Sequence, residues 1–89
     1  MTDKATVTTE VDVLVGGNYR AWRIGLTNDV RETRKQLTSQ GNDLSGWQQW
    51  KADSLADAKS LERAYVASGM KGVTSGIVSE VFPTFVFIF

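Results

Sequence analysis

ATVTTEVDVLVGGNYRAWRIGL, residues 5–26, is the stretch on which the fold turns. Its first half, residues 5–15, is rich in β-branched side chains, and Val7, Val11, Val13 and Val15 share one parity. That partial alternation predicts a strand. Gly16-Gly17-Asn18 is a strong turn signal, so Tyr19 to Leu26 reads as the second arm of a hairpin. On this arm Tyr19, Ala21, Arg23 and Gly25 face one side, with Arg20, Trp22, Ile24 and Leu26 on the other.

Beyond the hairpin, Thr27, Asn28 or Asp29 can cap a helix running to about Gln40, where Gly41-Asn42-Asp43 breaks it. A short helical turn is expected around Leu44 to Gln48, then a brief strand at Trp50 to Ala52. The main helix starts at Asp53-Ser54, with Ser54 and Asp57 at capping-box spacing, and Gly69 ends it. Residues 69–79 read as a glycine-rich loop. The stretch VFPTFVFIF, residues 81–89, is a last strand whose Pro83 confines its early part to an edge or to the strand's beginning. The expected architecture is a single small α+β domain over residues 1–89, a mainly antiparallel sheet flanked by helices.

Composition narrows the chemistry. A chain of 89 residues can bury only roughly 60–70% of its unfolded surface, enough for one modest core. Ten basic and ten acidic side chains cancel, so nucleic-acid binding would need a local patch. Cysteine and histidine are both absent, which excludes disulfides, thiol nucleophiles, histidine bases and the usual zinc sites. A metal would take oxygen ligands, as magnesium, manganese and calcium do. The opening MTDKATVTTEVDV lacks a signal-peptide core, and no run of about twenty apolar residues suggests a membrane span. The expected location is cytoplasmic.

Glu62 stands out within the main helix. At about 100° per residue, Leu55, Ala58, Leu61, Tyr65 and Val66 gather on one side, with Lys59, Arg63, Ala56, Ser60 and Asp57 on the other. Glu62 falls between Leu55 and Ala58 on the apolar side. A carboxylate there is expensive to desolvate without a partner, a metal ion or a catalytic task.

The segment Trp22-Arg23-Ile24-Gly25-Leu26-Thr27-Asn28-Asp29 resembles the second signature of the GIY-YIG endonuclease superfamily, a strand ending in Tyr-Ile-Gly and a turn into a helix. Ala58-Lys59-Ser60-Leu61-Glu62 is similar to the superfamily's later helix, whose glutamate binds the divalent metal. Trp47, Trp50, Ala52, Asp53 and Ser54, then Gly69-Met70-Lys71-Gly72 and the aromatic Phe85-Val86-Phe87-Ile88-Phe89, resemble short stand-alone members. The resemblance covers most of residues 11–89 and implies metal-dependent phosphodiester hydrolysis of DNA or RNA, with Mg2+ or Mn2+ on Glu62.

The catalytic set departs from the superfamily's pattern. Val13-Leu14-Val15 holds no tyrosine, and Arg23 replaces the first residue of the second signature. The helix arginine expected eight residues after the signature glycine falls on Thr33, with Arg34 beside it, and residues 73–89 hold no asparagine. Phosphodiester hydrolysis needs a polarising metal, a base and a cation for developing charge. Glu62 can hold the metal, Arg34 can neutralise phosphoryl oxygens, and Tyr19 is the candidate base or water-positioning phenol. Trp22, Arg23, Arg31 and Lys35 are the candidate substrate contacts, through stacking and phosphate binding.

Competing readings make Glu62 an ion-pair partner of Arg34 or Arg23, Arg34 a snorkelling edge residue, and the aromatics core. Two functions follow: a nuclease acting through Glu62, or a catalytically inactive scaffold binding nucleic acid, a nucleotide or a protein. The run FVFIF would be an aggregation hazard on an open edge. It must be buried by helices, paired inside the sheet or covered by a second subunit, which makes a homodimer one expectation.

Overall fold

Residues 5–15 lie in a helix, not a strand. The structure, a computed structural model, describes residues 3–74 and 78–89 and begins with α1 (Lys4–Val15). Val7, Val11 and Val15 recur every four residues and are buried; Val13, which a strand would have placed with them, is 78% exposed. Valines spaced by four satisfy the periods of both strand and helix, and burial against the rest of the fold decides between them. The threonines are reconciled to the helix by bonding backwards: the Thr8 and Thr9 hydroxyls donate to the Lys4 and Ala5 carbonyls at 2.9 and 3.0 Å. The Asp3 carboxylate caps the start by accepting from the Thr6 N–H at 2.7 Å. Gly16, at φ 59°, ends the helix with its N–H on the Asp12 carbonyl. The glycine pair therefore closes a helix, and the expected hairpin is absent. A single 3-10 turn, Tyr19–Ala21, leads instead into β1 (Arg23–Thr27).

The remaining elements are α2 (Val30–Ser39), β2 (Gln48–Lys51), α3 (Leu55–Ser68), β3 (Lys71–Gly72) and β4 (Phe85–Ile88). Asp29 caps α2 by accepting from the Glu32 N–H, and Ser54 caps α3 by accepting from the Asp57 N–H. The expected helical turn near Leu44 is a tight turn closed by the Trp47 N–H on the Leu44 carbonyl. The segment after α3 is not all loop: Lys71–Gly72 runs parallel to β1. Part of that expected loop, residues 75–77, lies outside the described residues.

The strands form one mixed sheet in the order β2-β4-β1-β3, with β4 antiparallel to both neighbours. The FVFIF run is thus paired inside the sheet, and its exposure no longer argues for a second subunit. Parity sorts the two faces. Ile24, Leu26, Val86 and Ile88 face α1 and α3, where they meet Val7, Val11, Ala58, Leu61 and Tyr65. Phe87 and Phe89 face the opposite side with Leu37 of α2 and Trp47. Gly25 lies under Phe87: a Cβ there would come within 2.9 Å of Phe87 Cε2 and nearer still to Cζ. Among the described residues no helix is long and apolar enough to cross a membrane.

Candidate functional site

Glu62 is half-buried on α3, at the margin of the stripe formed by Ala58, Leu61 and Tyr65. Its partner is a hydroxyl. The Leu26 N–H donates to Thr74 Oγ1 at 2.8 Å, and Thr74 donates in turn to Glu62 Oε2. Sheet geometry explains this relay. β3 bonds β1 through the Lys71 and Val73 N–H groups, which donate to the Trp22 and Ile24 carbonyls at 3.3 and 2.9 Å. Past Val73 the Thr74 side chain takes the place of the next ladder partner. The carboxylate that stands out in the sequence therefore joins α3 to the end of the sheet. Replacing Thr74 with valine removes both bonds at nearly constant volume. The expected cost is about 1–3 kcal/mol, read as a lower midpoint in urea unfolding.

Glu62 also lines a groove of about 590 Å³, together with Leu26, Lys59, Arg63, Val66 and Val78. Lys59 and Arg63 are exposed beside it, two cations that helical phase alone assigns only to the outer side of α3. Among the described residues no three His, Cys, Asp or Glu side chains gather as a metal-binding group. A single carboxylate suits a magnesium ion that keeps most of its water and shares a phosphate, and not an all-protein cage.

The other candidates are not gathered around Glu62. Tyr19 lines a separate recess with Lys4, Thr8, Asp12 and Tyr65. Its hydroxyl donates to Asp12 Oδ1 at 3.0 Å, and Tyr65 donates to the same oxygen at 2.9 Å. The hydrogen bond to Asp12, with some burial, raises the Tyr19 phenol above its ordinary range. Burial first, then the Asp12 carboxylate, raises Tyr65 further. A phenol raised in this way stays protonated at neutral pH.

Arg23 and Arg34 belong to the opposite face. The Arg34 guanidinium lies 5.3 Å from the centroid of Trp47, and that of Arg23 lies 5.8 Å from Phe89. Trp47 stacks on both Phe87 and Phe89, with centroids 4.4 and 5.8 Å apart. Arg34, Trp47, Phe89 and Arg23 therefore make a continuous row. Neither arginine is the ion-pair partner of Glu62, because both lie across the sheet from α3. Arg31 and Lys35 are exposed on α2. Trp22 is half-buried and packs against the core on the α1–α3 side.

No protein-family model, curated protein or solved structure matches the chain. Stacking uses the face of a guanidinium and leaves its in-plane N–H groups free to meet an anion. The row thus offers two positioned cations and a half-buried indole, whose Nε1 is already held by Gln49 Oε1 at 2.8 Å. In the sequence Trp47 stands out only through the family resemblance; its association with Arg34 is the feature that no local signal marks.

Proposed function

We propose that this chain is a non-catalytic module that binds single-stranded DNA or RNA in the cytoplasm, on a scaffold of GIY-YIG type whose catalytic set has been lost. The observation that carries this reading is the Arg34–Trp47–Phe89–Arg23 row. Backbone phosphates meet the two guanidinium edges, and a base stacks against the accessible part of Trp47. Exposed Arg31 and Lys35 extend the positive surface along α2. The dispersal of Glu62, Tyr19 and Arg34 over separate regions supports binding without turnover.

A second reading has its own observation: Glu62 lines the groove flanked by Lys59 and Arg63. In a nuclease, Glu62 would hold Mg2+ or Mn2+, which supplies Lewis-acid polarisation of the phosphate when bound. Lys59 and Arg63 would then orient the phosphodiester.

One experiment separates the two. Labelled single- and double-stranded DNA and RNA are incubated with magnesium or manganese and wild type or Glu62→Gln, while anisotropy reports binding. The binding module gives saturable, salt-sensitive binding that survives a chelator, with no cleavage by either protein. Divalent-dependent cleavage by wild type that Glu62→Gln abolishes would replace this reading with the nuclease.

A further inference from the structure

The sheet has an open main-chain edge at β2. The Ala52 N–H donates to the Thr84 carbonyl at 2.9 Å, and Trp50 lies opposite Val86 in the same register. In an antiparallel ladder, successive residues direct their N–H and C=O groups to alternate sides. Trp50 and Gln48 thus bond to β4, while Gln49 and Lys51 direct theirs outward. Beside this edge is an apolar groove of about 360 Å³, lined by Val13, Leu14 and Trp50 with Thr9, Glu10 and Gln48. Val13 is 78% and Leu14 43% exposed, so the groove and the open edge form one surface.

We propose that two copies of this chain associate by antiparallel pairing of their β2 edges about a two-fold axis at Trp50. The strand selects this register among its alternatives. Centring on Trp50 sets Gln49 opposite Lys51 of the second copy, so that the outward N–H and C=O groups of both residues are exchanged in full. Centring on Gln49 would set Lys51 against Trp47, whose N–H is already donated to Leu44. Centring on Lys51 would set two lysines directly opposite, which is destabilising. A two-fold at Trp50 also brings the indoles together as a non-hydrogen-bonded pair, where side chains approach most closely. It places Val13 and Leu14 of both copies along the same seam. The Trp50 indole is pre-positioned for this by its Nε1–H, which donates to Glu10 Oε2 at 2.6 Å. The resulting interface is isologous, as closed two-fold symmetry requires.

Sedimentation equilibrium across concentrations up to ~1 mM tests the proposal on wild type, Gln49→Pro and Val13→Lys. Proline removes an N–H that β4 does not use, a substitution that edge strands tolerate. Circular dichroism verifies that each variant is folded. Wild type is expected to reach twice the chain mass, with folded Gln49→Pro remaining at the chain mass and associating at least ~10-fold more weakly. A wild type that stays monomeric throughout overturns the proposal, as does folded Gln49→Pro that dimerises like wild type. If Gln49→Pro does not fold, Val13→Lys gives the same two-way answer from a surface position.

Discussion

Gly25→Ala is expected to lower the melting temperature by about 10–20 °C, through a loss of about 2–3 kcal/mol. The new methyl would occupy space filled by the Phe87 ring. Phe87 cannot retreat easily: it is fully buried, stacked on Trp47 at 4.4 Å, and carried by a strand paired on both sides. The backbone at Gly25 does not have a positive φ, so the demand for glycine comes from the neighbouring ring. That distinction makes the test sharp. Gly25→Ala with Phe87→Leu should recover part of the stability that Gly25→Ala alone loses, even though Phe87→Leu is itself destabilising. Simple additivity of the two losses in a double-mutant cycle would show that Phe87 is not the reason. The Ile24-Gly25 pair that resembles a family signature thus has a packing explanation.

The second large effect is on binding. Replacing Arg23 and Arg34 together with glutamine should weaken single-stranded nucleic-acid binding by about 10-fold or more near 0.1 M salt. It should also reduce the slope of log affinity against log salt by about 1.4, or ~0.7 for each single-strand phosphate that is no longer neutralised. The fold should hold, because an exposed cation–π pair contributes only about 0.5–1 kcal/mol. Lys59→Gln with Arg63→Gln, in the groove beside Glu62, serves as the contrast and should leave the slope nearly unchanged. The opposite pattern, with affinity falling only in the Lys59/Arg63 pair, would move the binding surface to the Glu62 groove.

Several elements are legible in the sequence because their signals are local. Asp29 and Ser54 cap the helices that their positions predict, and Gly69 ends α3. The parity of Arg23 to Leu26 likewise holds, with Ile24 and Leu26 on one face and Gly25 against Phe87 on the other. α1 reads as a strand because Val7, Val11 and Val15 fit two periods, and β-branched composition favours the wrong one. Helix signals are present in Asp3 and Gly16, but Gly16-Gly17-Asn18 also resembles a hairpin turn. β3 gives no readable signal: it is two residues long, and its partner lies far back along the chain. The site shows the same division. Glu62 is legible as a carboxylate at odds with its helical phase. Its partner Thr74 is not, because their approach depends on where β3 stops along β1.

The order β2-β4-β1-β3 has a consequence for how the domain is made. β4 is the last of the four strands in chain order, yet it occupies the position between β1 and β2. On the ribosome, β1 and β2 therefore emerge without the strand that joins them, and only the short parallel pairing of β1 with β3 is available beforehand. Residues 85–88, an apolar stretch that would be an aggregation hazard if left unpaired, leave the tunnel after both of their neighbours have been synthesised. Vectorial synthesis thus delivers this apolar strand only after both of the strands it must join.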